Sequence, residues 1–159
     1  MIYYFSGTGN SRTVAHCLGK LLECDVADMS ATQQIPDLGF TKSLGLVFPV
    51  YAWGLPNVVE QFVGRLNLLA DDVYVWAVMT CGDDMGYADT ILDKCLYRAS
   101  GRHVQSVYSV PMPNTYVCLP GFDVDAPEVA SVKVEHTRNF LPAIARGIRL
   151  QAKECNVER

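Results

Sequence analysis

The chain has 159 residues, with 13 Lys+Arg against 17 Asp+Glu and a net charge of −4. Domains usually run to roughly 100–150 residues, so a single domain over residues 1–159 is expected. Half of the residues are hydrophobic and 19% are charged, which excludes wholesale disorder, and a pI near 5.3 argues against a nucleic-acid partner.

Residues 2–5 form a compact apolar run of β type, entered directly from Met1. This start lacks the basic segment and longer apolar stretch of a signal peptide, and no apolar run reaches the ~18 residues of a membrane span. A cytoplasmic location without a membrane span is the expectation. A Gly-rich turn follows. Then Val14, Cys17, Leu18, Leu21 and Leu22 recur at helical spacing. Residues 25–29 are more polar and suit an edge strand. A loop carrying Pro36, Asp37 and Gly39 leads to a continuous apolar strand over 44–48. Leu55, Val58, Val59, Phe62, Val63 and Leu66 mark a second helix, with Pro56 in its first turn. Residues 73–79 are a fully apolar strand. Ala88, Ile91, Leu92, Cys95, Leu96 and Ala99 mark a third helix, ended by Gly101. A fifth strand spans 104–110, a Pro-punctuated loop 111–125, and a last helical segment about 127–151, in which Pro142 predicts a kink or break near Leu141.

Strands alternating with helices of this length imply a parallel sheet covered on both faces. The fold class is α/β: a doubly wound five-stranded parallel sheet, order 2-1-3-4-5, in a three-layer sandwich. Ligands of such sheets sit beyond the carboxyl ends of the strands at the switch point. The loops after residues 5, 48 and 79 are therefore the informative ones.

The first is Ser6-Gly7-Thr8-Gly9-Asn10-Ser11, between strand and helix. A helix N-terminus offers unpaired N–H groups and a favourable dipole to an anion. Gly7 and Gly9 allow close backbone approach, while Ser6, Thr8, Asn10 and Ser11 add four polar side chains. A P-loop would need Lys followed by Ser or Thr, and a dinucleotide fingerprint would need a third Gly where Arg12 stands. A Lys-free, hydroxyl-rich loop suits a terminal monophosphate held by neutral donors.

This loop, following an apolar strand, resembles the FMN-phosphate loop of the flavodoxin family, whose pattern is T/S-x-T-G-x-T; Ser replaces Thr at its first and last hydroxyl positions. The order and lengths of elements match over nearly the whole chain. No insertion of about twenty residues splits the fifth strand, as in short-chain members. The segments from Phe5 to Ser11, from Phe48 to Pro56 and from Val110 to Tyr116 are similar to the flavodoxin domain of flavodoxin–ferredoxin fusion proteins. The Cys-rich iron–sulfur motifs of those fusions have no counterpart here.

The resemblance implies FMN as cofactor, with Ser6, Thr8, Gly9, Asn10 and Ser11 around its phosphate. Pro49, Val50, Tyr51, Ala52, Trp53 and Gly54 would flank the isoalloxazine, on which either Tyr51 or Trp53 stacks. A peptide near Gly54 is expected to turn its carbonyl toward the flavin N5, a flip that a Gly makes sterically cheap. Thr80, Cys81, Gly82, Asp83, Gly86 and Tyr87 would supply the pyrimidine end. Carboxylates of Asp83 and Asp84 near the ring would disfavour an anionic reduced flavin. Asn114 and Tyr116 are placed to close over the flavin by loop position alone.

Most of the six dispersed cysteines read as small buried hydrophobes, and His16, His103 and His136 as ordinary polar or half-buried residues; no metal site and no catalytic constellation is expected. The implied function is electron transfer between redox partner proteins, ferredoxin-like or reductase. The alternatives are a small FMN-dependent quinone or NAD(P)H reductase, and a flavin domain active only when docked to an iron–sulfur partner. Residues up to 125 hold 13 acids and 7 bases, for −6, and the remainder hold 4 acids and 6 bases, for +2. Six of the acids fall between Asp71 and Asp93, which predicts an acidic patch beside the site that would steer a basic partner.

Overall fold

The computed structural model describes residues 1–33, 38, 41–66, 72–117 and 123–157. The turn expected around Pro36, Asp37 and Gly39, together with Asp71 and Cys118, lies outside the described residues. The elements run β1 (Ile2–Tyr4), α1 (Asn10–Leu22), β2 (Val26–Asp28), β3 (Ser43–Pro49), α2 (Asn57–Val63), β4 (Tyr74–Cys81), α3 (Ala88–Ser100), β5 (Ser106–Pro111), α4 (Pro127–Arg149) and β6 (Cys155–Asn156). All strand pairs are parallel, and the sheet order is β2-β1-β3-β4-β5-β6.

The fully apolar strands follow from burial on both faces. Along β4, Val75, Ala77, Met79 and Cys81 point into a core with Val59, Phe62, Leu92 and Leu96 of α2 and α3. The alternate residues Tyr74, Trp76 and Val78 join Val14, Leu18, Leu141, Ile144 and Ile148 of α1 and α4 in a second core. The two-residue period of the strand thus feeds two helical layers. Gly101 ends α3 as expected, in the left-handed conformation (φ 71°) with its N–H on the Tyr97 carbonyl.

Three details depart from expectation. Pro56 is the N-cap of α2 with extended backbone, one residue ahead of the first turn. Of the kink or break expected at Pro142, the break does not occur: α4 is one helix from Pro127 to Arg149. Leu141, Ile144, Ala145 and Ile148 around Pro142 are buried, and that packing outweighs one lost backbone hydrogen bond. A sixth strand, two exposed residues long, adds to the edge of β5. Polar side chains hold it: the hydroxyls of Tyr74 and Ser106 stand 2.7 Å apart and both reach the Ala152 carbonyl. The Tyr108 hydroxyl donates to the Glu154 carboxylate at 3.1 Å.

Of the five described cysteines only Cys81 is buried; Cys17 on α1, Cys95 on α3 and Cys24 between α1 and β2 are half-buried, and Cys155 is exposed on β6. Among the described residues there is no cluster suited to a metal ion, and no helix is long and apolar enough to cross a membrane.

Candidate functional site

The loops after β1, β3, β4 and β5 surround a cavity of about 520 Å³ at the carboxyl ends of the strands. The first loop contributes Ser6, Gly7, Thr8, Asn10 and Ser11 to its lining. Gly9 stands behind them as the N-cap of α1 with φ 103°, a conformation that favours glycine, and no side chain caps the helix. The first-turn N–H groups of α1 thus have no side-chain acceptor from their own cap.

Each polar side chain of this loop has a distinct partner. Ser6 Oγ accepts the Gly9 N–H at 3.0 Å, which closes the loop on itself. Asn10 Nδ2 donates to the Pro113 carbonyl at 2.9 Å and ties the first loop to the fifth-strand loop. The Thr8 hydroxyl is 3.4 Å from that of Thr115. Ser11 is buried, its hydroxyl 2.8 Å from that of Thr80 at the end of β4. Two paired hydroxyls use one proton between them, so one O–H remains to donate elsewhere.

Pro49, Val50, Tyr51, Ala52 and Trp53 line the facing wall. Tyr51 and Gly54 exchange backbone hydrogen bonds of 3.1 and 2.9 Å around a two-residue turn. Ala52 (φ 47°) and Trp53 (φ 60°) both occupy the left-handed region, as in a type I′ turn, at about 1–3 kcal/mol each for non-glycine residues. The conformational freedom expected at Gly54 is not used there. Gly54 has no positive φ, and a Cβ on it would meet its nearest atom at an ordinary 3.6 Å. The unusual backbone falls on its two neighbours instead. Gly54 itself does not line the cavity.

Tyr51 and Trp53 are 47% and 59% exposed, so neither is a core residue. Each lies on a glycine of another loop. A Cβ on Gly7 would come within 2.4 Å of Tyr51 Oη, and one on Gly86 within 2.8 Å of Trp53 Cβ. Gly86 therefore seats the Trp53 side chain, and Gly7 makes room for the Tyr51 hydroxyl. The rings of Tyr51 and Phe5 also meet edge to face, with centres 6.3 Å apart and planes 81° apart.

The third loop places Thr80, Cys81, Gly82, Asp83 and Asp84 in the lining, whereas Gly86 and Tyr87 stand outside it. Gly86, at φ 55°, donates its N–H to the Asp84 carboxylate at 3.0 Å, and the exposed Tyr87 begins α3. The Cys81 thiol is buried and contacts the carbonyls of Asp83 and Val110.

Met112, Pro113, Asn114, Thr115 and Tyr116 form the remaining wall. Met112, Pro113 and Thr115 were not singled out one by one in the sequence; the length of the loop and the resemblance of the segment from Val110 to Tyr116 pointed to this region. Asn114 and Asp125 brace it: the Asn114 N–H donates to Asp125 Oδ2 at 2.9 Å, and Lys133 Nζ of α4 donates to the same oxygen at 2.7 Å. The Lys133 hydrogen bond, followed by the Asn114 N–H, holds the Asp125 carboxyl below its usual range. Burial works against the Lys133 ammonium, but the bond to Asp125 and the charge of Asp83 outweigh it and raise its pKa.

The described acids between residues 72 and 93 do not form one patch. Asp72 pairs with Lys42 at the start of β4, the far end of the strand from the cavity. Eight residues at ~3.3 Å each separate the two ends. Asp93 pairs with His103, Asp89 is buried on α3, and among the described acids of this stretch only Asp83 and Asp84 adjoin the cavity.

No protein-family model matches the sequence, and no curated protein matches it. Solved structures do. A Fusobacterium nucleatum flavodoxin mutant bound to flavin mononucleotide is 12% identical with a TM-score of 0.58, the match covering 96% of this chain and 95% of that one. The two-electron reduced flavodoxin of Megasphaera elsdenii is 18% identical at a TM-score of 0.53, covering 87% and 99%. A Streptococcus pneumoniae flavodoxin is 18% identical at 0.52, covering 90% and 97%. At such identities the likeness is one of architecture, and it agrees with the α/β order of elements and the parallel sheet: the chain has a flavodoxin-like fold.

Proposed function

We propose that the chain, as one unit over residues 1–159, binds FMN and carries electrons between redox partner proteins. One observation carries this reading. A single cavity joins a hydroxyl-rich helix N-terminus to a wall bearing two exposed aromatic rings. A ligand with a small anionic end and a flat aromatic end matches both.

The residues present fit FMN. The side chains of Ser6, Thr8 and Asn10 and the first-turn N–H groups of α1 would hold the phosphate with neutral donors. No described lining side chain is cationic, so the helix terminus supplies the positive potential. Tyr51 and Trp53 would flank the ring, and the backbone of Thr80, Cys81 and Gly82 would face its polar edge. FMN, when bound, supplies the redox chemistry, while the protein sets its orientation, solvent access and electrostatic surroundings. Asp83 and Asp84 place negative charge at the cavity and oppose accumulation of further negative charge within it.

The test is titration of apoprotein with FMN and, separately, with riboflavin. A yellow complex with quenched flavin fluorescence is expected for FMN, and binding at least ~10-fold weaker for riboflavin, which lacks the phosphate. A protein that takes up no FMN overturns the reading. Rapid steady-state oxidation of NAD(P)H with transfer to quinones would replace the carrier role with a reductase role.

A further inference from the structure

Two side chains one turn apart on α4 hold the loop that follows β5. Thr137 Oγ1 donates to the Pro111 carbonyl at 2.5 Å, where the loop begins. Lys133, four residues earlier, bonds the Asp125 carboxylate at 2.7 Å, where the loop ends. Between them, Asn114 uses every kind of hydrogen-bonding group it has. Its N–H reaches Asp125, its side-chain amide reaches the Asp123 carbonyl at 3.0 Å, its side-chain oxygen accepts the Tyr116 N–H at 3.1 Å, and its carbonyl accepts the Asp125 N–H at 3.3 Å. Lys133 also stands 3.5 Å from Asp83 of the third loop. One ammonium therefore joins two walls of the cavity, although Lys133 does not itself line it.

The two contacts differ in strength. The side chains of Lys133 and Asp125 are 15% and 16% exposed, whereas that of Asp83 is 86% exposed. Water screens the Asp83 contact far more, so the bond to Asp125 dominates. Without the ammonium, Asp125 would be a half-buried carboxylate lacking a cation and would turn toward solvent. The Asn114 N–H would lose its acceptor. The wall from Asn114 to Tyr116 would then have to be ordered each time a ligand binds, a conformational cost that appears directly in affinity.

We propose that Lys133 is a positioning residue for the cavity, setting the Asn114–Tyr116 wall through Asp125 and so governing ligand affinity without touching the ligand. The choice of FMN as the ligand rests on the function proposed above; the clamp on the loop does not.

The variants are Lys133→Met and Lys133→Arg, examined first as apoprotein by amide hydrogen exchange and then by FMN titration. Lys133→Met is expected to speed exchange at Asn114 and to raise the Kd for FMN about tenfold, equivalent to about 1.4 kcal/mol. The exchange of β3 and β4 should stay as in the parent, and Lys133→Arg should restore most of the affinity. Unchanged exchange at Asn114 overturns the proposal, even if affinity falls, because Lys133 would then act on the ligand directly. Faster exchange with FMN affinity unchanged also overturns it. If the parent protein binds no FMN, the flavin reading fails, and exchange at Asn114 alone judges the clamp. Should Lys133→Met not fold, Asp125→Asn in its place is expected to give the same two changes.

Discussion

The hydroxyls of Ser11 and Thr80, 69 residues apart in the chain, lie 2.8 Å from each other and join the first turn of α1 to the end of β4. Both residues are buried at the wall of the cavity, so each hydroxyl has little access to other partners. Ser11→Ala should leave Thr80 unsatisfied and cost about 1–2 kcal/mol, and Thr80→Val should do the same to Ser11. The double variant should cost clearly less than the two losses together, since it leaves no orphan. Urea unfolding at constant m-value reads this coupling, and strictly additive losses would deny the bond a role.

Gly86 should resist any side chain. Its φ of 55° disfavours other residues, and a Cβ would lie 2.7–2.8 Å from Trp53 atoms. Gly86→Ala is expected to destabilise by about 1–3 kcal/mol and to shift Trp53 off its seat. Tryptophan emission separates the two effects, because Trp76 is wholly buried and Trp53 is exposed. A Gly86→Ala protein with unchanged emission and unchanged stability would show that the seat is unimportant.

Stability at alkaline pH should depend on Tyr108. Burial, and then its hydrogen bond to Glu154, raise the Tyr108 pKa above the ordinary 10.0; Tyr74 is shifted the same way, chiefly by burial. A folded-state pKa above the unfolded one means that the contribution is fully present below about pH 10 and is lost as pH rises beyond it. Thermal melts should therefore show a steep alkaline loss in the parent and a shallower one in Tyr108→Phe. Parallel pH profiles for the two proteins would contradict this.

Asp125 gives the opposite sign. Its carboxyl is held below the ordinary 3.8 by Lys133 and then by the Asn114 N–H. The order it imposes is fully present above that value and is lost as pH falls through the lower folded-state pKa. Exchange at the Asn114 amide, corrected for its intrinsic pH dependence, should accelerate in acid below about pH 4 relative to the β4 amides. Asp125→Asn should abolish that dependence; an Asn114 amide indifferent to acid in the parent would exclude Asp125 as its anchor.

Periodicity in the sequence determined the order of strands and helices, because a strand buried on both faces must be apolar throughout and an amphipathic helix must repeat every three to four residues. The loop from Ser6 to Ser11 was legible for a similar reason: its glycines and hydroxyls are local, and each acts through its own backbone position. Tertiary structure alone decided the rest. β6 has two exposed residues and no pattern to read; its backbone pairing with β5 and the hydroxyls of Tyr74, Ser106 and Tyr108 around Ala152 and Glu154 hold it in place. The unusual backbone fell on Ala52 and Trp53, beside Gly54, because Trp53 is drawn to a glycine 33 positions away. Asp83 met a lysine 50 residues later in the chain, a pairing that no local pattern announces. Charge and close packing act through space, so their partners appear only once the chain has folded.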